Sequence, residues 1–376
     1  MDEEILDPVA AVTAPDPYAA YAAWRARGPL VWHERLQLWL ATDAAAVEAV
    51  LSHPALHVRP AGEPVPRGLA GSAAGAVFGQ LARMNDGPAH QDARQALQAR
   101  LAHIELPRWS ALAQRHARRL PVPGAGALDE WVVRVPLLAV AEVLGIAQSL
   151  QDEVVTQAHR FAAGISPLAS MSQREAAAEA AQRLAGWLDP VAGPTPEGLS
   201  RACWVANLLG LLSQTCDATA GLIGNTLVAL AREPGLWPRL RDDAGALREA
   251  IEEVARHDAP VQNTRRYAHA EGALVLGQQI ALGQAVLVLL AAAGRDPARH
   301  PEPDRFMLRR APRVPYGFGH GPHRCLGERI ACALAQGALS VVPPGAVEVA
   351  RAFLQRPRYR PSVNARIPWF APEEAA

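Results

Sequence analysis

The sequence predicts a mainly helical chain with a smaller β region. Three observations predict it. An apolar run with start and stop signals extends over about Pro196–Arg232, helical patterns recur on both sides of it, and short alternating stretches appear, the clearest over Leu30–Leu40. Half of the 376 residues are apolar, ample for a sizeable core. There is no internal repeat and no linker long enough to separate autonomous units, so residues 1–376 read as one domain. Basic and acidic residues both number 37, and every basic one is Arg; this leaves no bulk electrostatic case for nucleic acid or an anionic membrane. Neither a signal peptide nor an uncharged apolar run of about 18 residues occurs, so no membrane anchor is expected. Cys203, Cys216, Cys325 and Cys332 lack metal-pair spacing, which points to a reducing cytoplasm without a disulfide framework.

The chain opens on a mobile acidic start, then an Ala-rich helix around Tyr18–Arg27. Leu30–His33 and Leu36–Leu40, broken by Glu34-Arg35, read as a hairpin, and a helix follows over Asp43–Ser52. Residues 59–76, rich in Pro, Gly and Ala, read as a long loop. Asp86-Gly87-Pro88-Ala89 makes a turn into a helix on which His90 and Arg94, four apart, share a face; spacing alone is equally consistent with a solvated surface. Helical patterns continue over Trp109–Arg119, Trp131–Leu144, Leu150–Ile165 and Gln173–Leu188. Pro190, Pro194 and Pro196 then break the chain. The longest helix should begin at Pro196, capped by Thr195, and stop at Pro234-Gly235. Being apolar nearly all round, it must be buried on most sides, and Asp217 within it is costly unless paired or working. Arg248–Arg256 reads as a helix, Thr264–Ala268 as a strand, and Ala273–Leu276 and Ala285–Leu290 as further short strands. Val341-Val342-Pro343-Pro344 interrupts the final helix.

The most informative stretch is Phe318-Gly319-His320-Gly321-Pro322-His323-Arg324-Cys325-Leu326-Gly327. It is a Gly/Pro-punctuated loop that runs into the helical pattern Glu328–Ala335. Cys325 therefore stands at or just before a helix N-terminus, which favours a thiolate. Gly319, Gly321 and Gly327 would let the backbone fold tightly round the sulfur and a flat partner approach. By itself such a Cys could be a nucleophile, a metal ligand or an inert buried thiol.

This run resembles the haem-binding loop of the cytochrome P-450 superfamily, Phe-Gly-x-Gly-x-His/Arg-x-Cys-x-Gly, at every fixed position. The resemblance implies that chain's fold, with haem b (iron-protoporphyrin IX) held by Cys325, Phe318 beside it and His323 at a propionate. It extends to the His-x-x-x-Arg pair His90 and Arg94 and to Arg266, all implied propionate ligands. Glu253 and Arg256 match the family's buried Glu-x-x-Arg, which Arg305 is expected to complete; spacing alone allows a surface pair. In Gln214-Thr215-Cys216-Asp217-Ala218-Thr219 the family carries a small residue, Gly and then an acid–alcohol pair that relays protons. Asp217 aligns with the acid and Thr219 with the second hydroxyl residue. Two departures stand out. Ala218 replaces the oxygen-side Thr, and Gln214-Thr215 replaces the small-Gly pair, so that Thr215, Thr219 or the substrate would have to hold the relay water. The resemblance also implies that residues 59–76 cover the substrate and that the Pro-rich region before the long helix is trimmed, leaving a smaller lid. Gln214, Val261, Gln262, Asn263 and the terminal hairpin residues Val363 and Asn364 are the implied substrate-pocket candidates.

The implied activity is oxidation of a small organic molecule by O2, with electrons from a separate ferredoxin or flavodoxin and its reductase; a monomer is expected. Arg94, Arg100, Arg324 and Arg329 are candidates for the donor's docking patch, or solvated surface. Two alternatives stay open: a peroxide-driven peroxygenase or haem isomerase, suggested by Ala218, and a non-catalytic haem protein, suggested by the trimmed lid.

Overall fold

The computed structural model describes residues 7–120, 124–233, 235–269 and 272–371; the acidic start and Pro234 lie outside them. Helix α1 (Tyr18–Ala26) leads into the hairpin β1 (Leu30–His33) and β2 (Leu38–Ala41). Asp43 caps α2 (Ala44–Ser52) by accepting from the Ala46 amide at 2.8 Å. After β3 (Leu56–His57), the stretch read as a loop ends early. Ser72 accepts from the Gly75 amide and starts α3 (Ala73–Gln80). Next come α4 (Gly87–Ala102), α5 (Leu106–Arg119), α6 (Ala125–Val143), α7 (Gln151–Gly164) and α8 (Met171–Leu188), close to the predicted spans.

The longest helix among the described residues is α9 (Arg201–Arg232). It begins later than the sequence suggests. Gly198 adopts φ +81°, which no right-handed helix accommodates, and Ser200 rather than Thr195 provides the cap, accepting from the Cys203 amide at 3.1 Å. Leu208, Leu209, Leu212, Leu222, Ile223 and Leu227 of α9 are fully buried. Each contributes about 1.5–3 kcal/mol by burial. Together with α5 to α8 and the helices below they form the main core.

Helices α10 (Leu236–Leu240) and α11 (Ala244–His257) precede β4 (Thr264–Ala268), β5 (Ala273–Val275), β6 (Gln278–Ile280), β7 (Ala285–Val288) and α12 (Leu290–Gly294). The larger sheet has the order β1-β2-β7-β4-β3, with only β2–β7 parallel; β5 and β6 pair separately. Smaller cores lie on the two sides of this sheet. The interruption at Pro343-Pro344 separates α13 (Glu328–Leu339) from α14 (Pro344–Phe353). The chain ends on bridges Val261–Ala365 and Tyr359–Pro368. No helix among the described residues is long and apolar enough to cross a membrane.

Candidate active site

The loop before α13 is held open by its glycines and tied by one backbone bond. Gly319 and Gly321 adopt φ +75° and +66°, and a Cβ on Gly321 would lie 2.8 Å from the Leu51 carbonyl oxygen. The Cys325 amide donates to the Phe318 carbonyl at 2.8 Å, closing the loop, and Phe318 packs against the main core. Cys325 is two residues before the Gly327 N-cap of α13. Its surface is open to solvent on one side while protein atoms crowd the sulfur elsewhere. That crowding pushes the thiol up, against the pull of the Gly327 and Glu328 amides, so the helix end alone does not yield a thiolate. Cys325 opens on to a cleft of about 690 Å³ shared with Arg94, Gln98, Leu101, Leu326 and Arg329.

Cationic and imidazole side chains gather round this loop. His90 Nδ1 meets the Ala82 carbonyl at 2.9 Å and Nε2 the Pro322 carbonyl at 3.2 Å. Its ring lies against His323, with centroids 3.9 Å apart. His323 Nε2 in turn meets Asp86 Oδ1 at 2.9 Å. Asp86, which the sequence showed only as a turn residue, also accepts from the Val58 amide at 3.0 Å. Burial would raise its carboxyl, but His323, the Val58 amide and His57 together hold it below the usual range. His90 thus already has protein partners on both ring nitrogens, and would take a carboxylate only by exchanging one. Arg94 feels the field of Cys325. Arg266 is buried, donates to the Arg265 carbonyl at 2.8 Å, and is lowered to about 10 by burial, with only Asp86 opposing.

The middle of α9 is partly accessible. Gln214 and Asp217 are exposed and Thr215 and Ala218 half-buried, in a helix otherwise buried along most of its length; α13 packs against it. Positions 214, 217 and 218 share one helix face. Asp217 is therefore not the satisfied buried acid that the apolar helix allowed. It forms no hydrogen bond or ion pair among the described residues, and crowding raises its carboxyl against the fields of His159, Arg360 and Arg83. Gln214 Nε2 donates back to the Gly210 carbonyl at 2.8 Å and Thr215 Oγ1 to the Leu211 carbonyl at 2.7 Å, so both are engaged by the helix itself. Thr219 is buried.

Several expected positions need correction. Arg305 does not complete the buried network. Its guanidinium pairs with Glu302 at 3.1 Å on the surface, and only its carbonyl reaches the network. The place is taken by Arg310, 2.9 Å from Glu253 and buried, because the chain turns inward after Phe306. Gln262 and Asn263 are buried and clasp the terminal segment instead of lining a pocket. The Gln262 amide donates to the Asn364 carbonyl at 2.8 Å, and Asn263 Nδ2 to the Val363 carbonyl at 2.9 Å. Val261 is half-buried against the sheet core, Val363 is half-buried, and Asn364 is exposed. Of the docking candidates, Arg324 is bound to Glu328 at 2.9 and 3.1 Å, whereas Arg329 is exposed.

The donor set suits haem b. The group is a flat apolar ring with two carboxylates on one edge and a metal that takes a thiolate. The chain offers one open thiol between apolar Leu101 and Leu326, and buried Arg266 with most of its donors uncommitted. A lone cation so buried is costly without an anionic partner, which a propionate provides.

Comparisons with known proteins agree. The family model described as Cytochrome P450 matches residues 205–340. Cytochrome P450 107B1 of Saccharopolyspora erythraea is 30% identical over 56% of this chain and 55% of that protein. Putative cytochrome P450 133B2 of Xylella fastidiosa is 37% identical over 37% of this chain and 34% of that protein. The matched part thus spans about half the length, or less, of these relatives. Vitamin D(3) 25-hydroxylase of Pseudonocardia autotrophica is 28% identical over 91% of this chain and 87% of that protein. Among solved structures, CalO2 has a TM-score of 0.79 at 21% identity, covering 96% of both chains. P450BioI, in complex with a hexadec-9Z-enoic acid ligated acyl carrier protein, has a TM-score of 0.78 at 22% identity, covering 94% of this chain and 96% of that one. The fold is thus the one these solved cytochrome P450 structures share, and residues 205–340, which include the loop round Cys325, match the cytochrome P450 family model.

Proposed function

We propose that this chain is a cytochrome P450 monooxygenase. One oxygen atom of O2 enters a small organic substrate and the other leaves as water, with two electrons and two protons consumed. The observation that carries the reading is the open thiol of Cys325 in its Gly-rich loop, two residues before the N-cap of α13. Haem, when bound, supplies the oxygen-activating chemistry, and a thiolate ligand favours it by electron donation. Cys325 would hold the iron, and Arg266 and Arg94 the propionates. Phe318 closes the loop through its carbonyl. Asp217 is the acid assigned to move protons at the site; burial raises its carboxyl, and it has no hydrogen-bond partner among the described residues. Electrons are assigned to a separate ferredoxin or flavodoxin with its reductase, the exposed Arg329 lying beside Cys325 where an acidic donor can approach. The setting is cytoplasmic and the protein a monomer. The test compares turnover with NAD(P)H plus redox partners, with peroxide alone and with neither; product only in the first condition is expected.

Ala218 favours a second reading, a peroxide-driven peroxygenase, because the side chain that usually orders the proton-carrying water is missing beside Asp217. Efficient turnover with peroxide alone would establish it. Under the monooxygenase reading, relay water depends on the substrate, and small misplacements are costly. Poorly fitting substrates should therefore release much of the reducing power as hydrogen peroxide. Ala218→Thr should raise product formed per NAD(P)H consumed, and most for the poorest substrates. Uniformly high coupling in the wild type, or a variant that only loses activity, would refute the substrate-dependent relay.

A further inference from the structure

Arg83 is a residue that the resemblance does not assign, and its surroundings are unusual. It lies in a single 3-10 turn, Ala82–Met84, between α3 and α4. That turn is fastened from three directions. The Ala82 amide donates to Asn207 Oδ1 of α9 at 2.8 Å, the Ala82 carbonyl meets His90 Nδ1 at 2.9 Å, and Asn85 Nδ2 donates to the carbonyls of Gly79 and Leu81 at 2.9 and 2.8 Å. The backbone that carries Arg83 is thus fixed, and the guanidinium starts from a set position.

The guanidinium itself has nothing to bind. Its Nε is buried without a hydrogen-bond partner, and no hydrogen bond or ion pair to Arg83 occurs among the described residues. Burial lowers it to about 10. Among the described residues the acid whose field reaches it is Asp217, although Asp86 is just three residues away in the chain. The turn that carries Arg83 packs on α9 one helical turn before its accessible stripe, through Asn207 and through Leu81, whose Cδ2 would lie 2.8 Å from a Cβ on Gly210. A second cation faces the same acid. Arg360, held by its Nη2 to the Asp129 carbonyl at 2.8 Å and by its amide to the Ile367 carbonyl at 2.9 Å, acts on both Asp217 and His159. His159 is lowered by burial and by Arg360, against the field of Asp217. Arg83 and Arg360 thus both act on Asp217, whose carboxyl burial raises. A half-buried guanidinium whose Nε is buried without a partner is costly, and its planar pair of donors matches a carboxylate.

We propose that the substrate carries a carboxylate, received by Arg83 over the accessible stripe of α9, with Arg360 adding to the attraction. The proposal rests on the monooxygenase reading only in calling this ligand a substrate. A carboxylate held there would also place a polar group beside Ala218, where the family's hydroxyl is missing.

The experiment is a spectral titration of the resting haem-loaded protein, read as the shift in iron spin state. The probes are straight-chain acids of graded length and arylacetic acids, each beside its neutral amide. No electrons are supplied, so failure of the monooxygenase reading would appear in turnover and not here. In the wild type, at least one acid should bind about tenfold or more tightly than its amide. Arg83→Gln should bring that acid to the affinity of the amide and leave the amide unchanged, while Arg83→Lys keeps part of the preference. Asp217→Asn, which removes the competing negative charge and leaves Arg83 in place, should strengthen acid binding. The proposal is overturned if no acid outbinds its amide, whether or not anything binds, or if Arg83→Gln keeps the preference. Loss of haem from Arg83→Gln would also overturn it, by making Arg83 a propionate clamp.

Discussion

Replacing Cys325 with Ser is expected to abolish the red-shifted band of the dithionite-reduced carbon monoxide complex, and with it oxygen-dependent turnover. The side chain stands in a loop whose shape does not depend on the sulfur. The Cys325 amide bond to the Phe318 carbonyl, the positive φ of Gly319 and Gly321 and the start of α13 at Glu328 are all main-chain features. A Ser should therefore leave the fold, and much of the haem binding, in place while removing the thiolate. A neutral alcohol cannot give the same electron donation to iron. The expected result is haem-loaded protein with a blue-shifted carbon monoxide complex and no product. An unchanged spectrum in the variant would end the assignment of Cys325 as the iron ligand.

The second large effect belongs to Glu253. Its carboxylate is fully buried and holds Arg256 at 2.6 and 3.0 Å, Arg310 at 2.9 Å and the Met307 amide at 3.1 Å. Arg256, equally buried, continues to the carbonyls of Gly294 and Pro303 at 2.9 and 2.8 Å. The network ties α11 to the chain that leads into the Cys325 loop. Removing the carboxylate leaves two buried guanidinium groups unpaired, a loss of about 3–5 kcal/mol. Glu253→Ala should yield little folded, haem-loaded protein, and Arg310→Ala should approach it. Arg305→Ala should cost below about 1 kcal/mol, as its partner Glu302 is exposed. Denaturant unfolding of the three variants checks the order, and a severe Arg305→Ala would contradict it. The pH dependence has a definite sign. Burial would raise the Glu253 carboxyl, but Arg256, Arg310 and the Met307 amide together hold it below its ordinary 4.5. Its contribution is therefore complete above that value and is lost as pH falls through the lower folded one. Glu253→Gln should lose this part of the acid sensitivity.

By itself the sequence determined the helical class, most element spans, the fold family and the loop that carries Cys325. These are written in local signals: the 3.6-residue period of α5 to α9, a cap such as Asp43, and glycines at fixed offsets round one Cys. The sequence also announced the gap at Ala218, since a missing hydroxyl is visible without coordinates. Only the tertiary structure decided which polar groups meet. Arg305 and Arg310 are five apart in a segment without regular period, so nothing local says which guanidinium turns inward to Glu253. Gln262 and Asn263 are polar residues before a strand, and their burial follows from a segment about a hundred residues later folding back across them. Asp86 became the partner of His323 in the same way. Arg83 is the extreme case, a basic residue in a short turn with no motif around it. Its significance comes from the acids and carbonyls that other elements bring near it, or fail to bring, and burial of a charge is set by distant chain segments that no local spacing encodes.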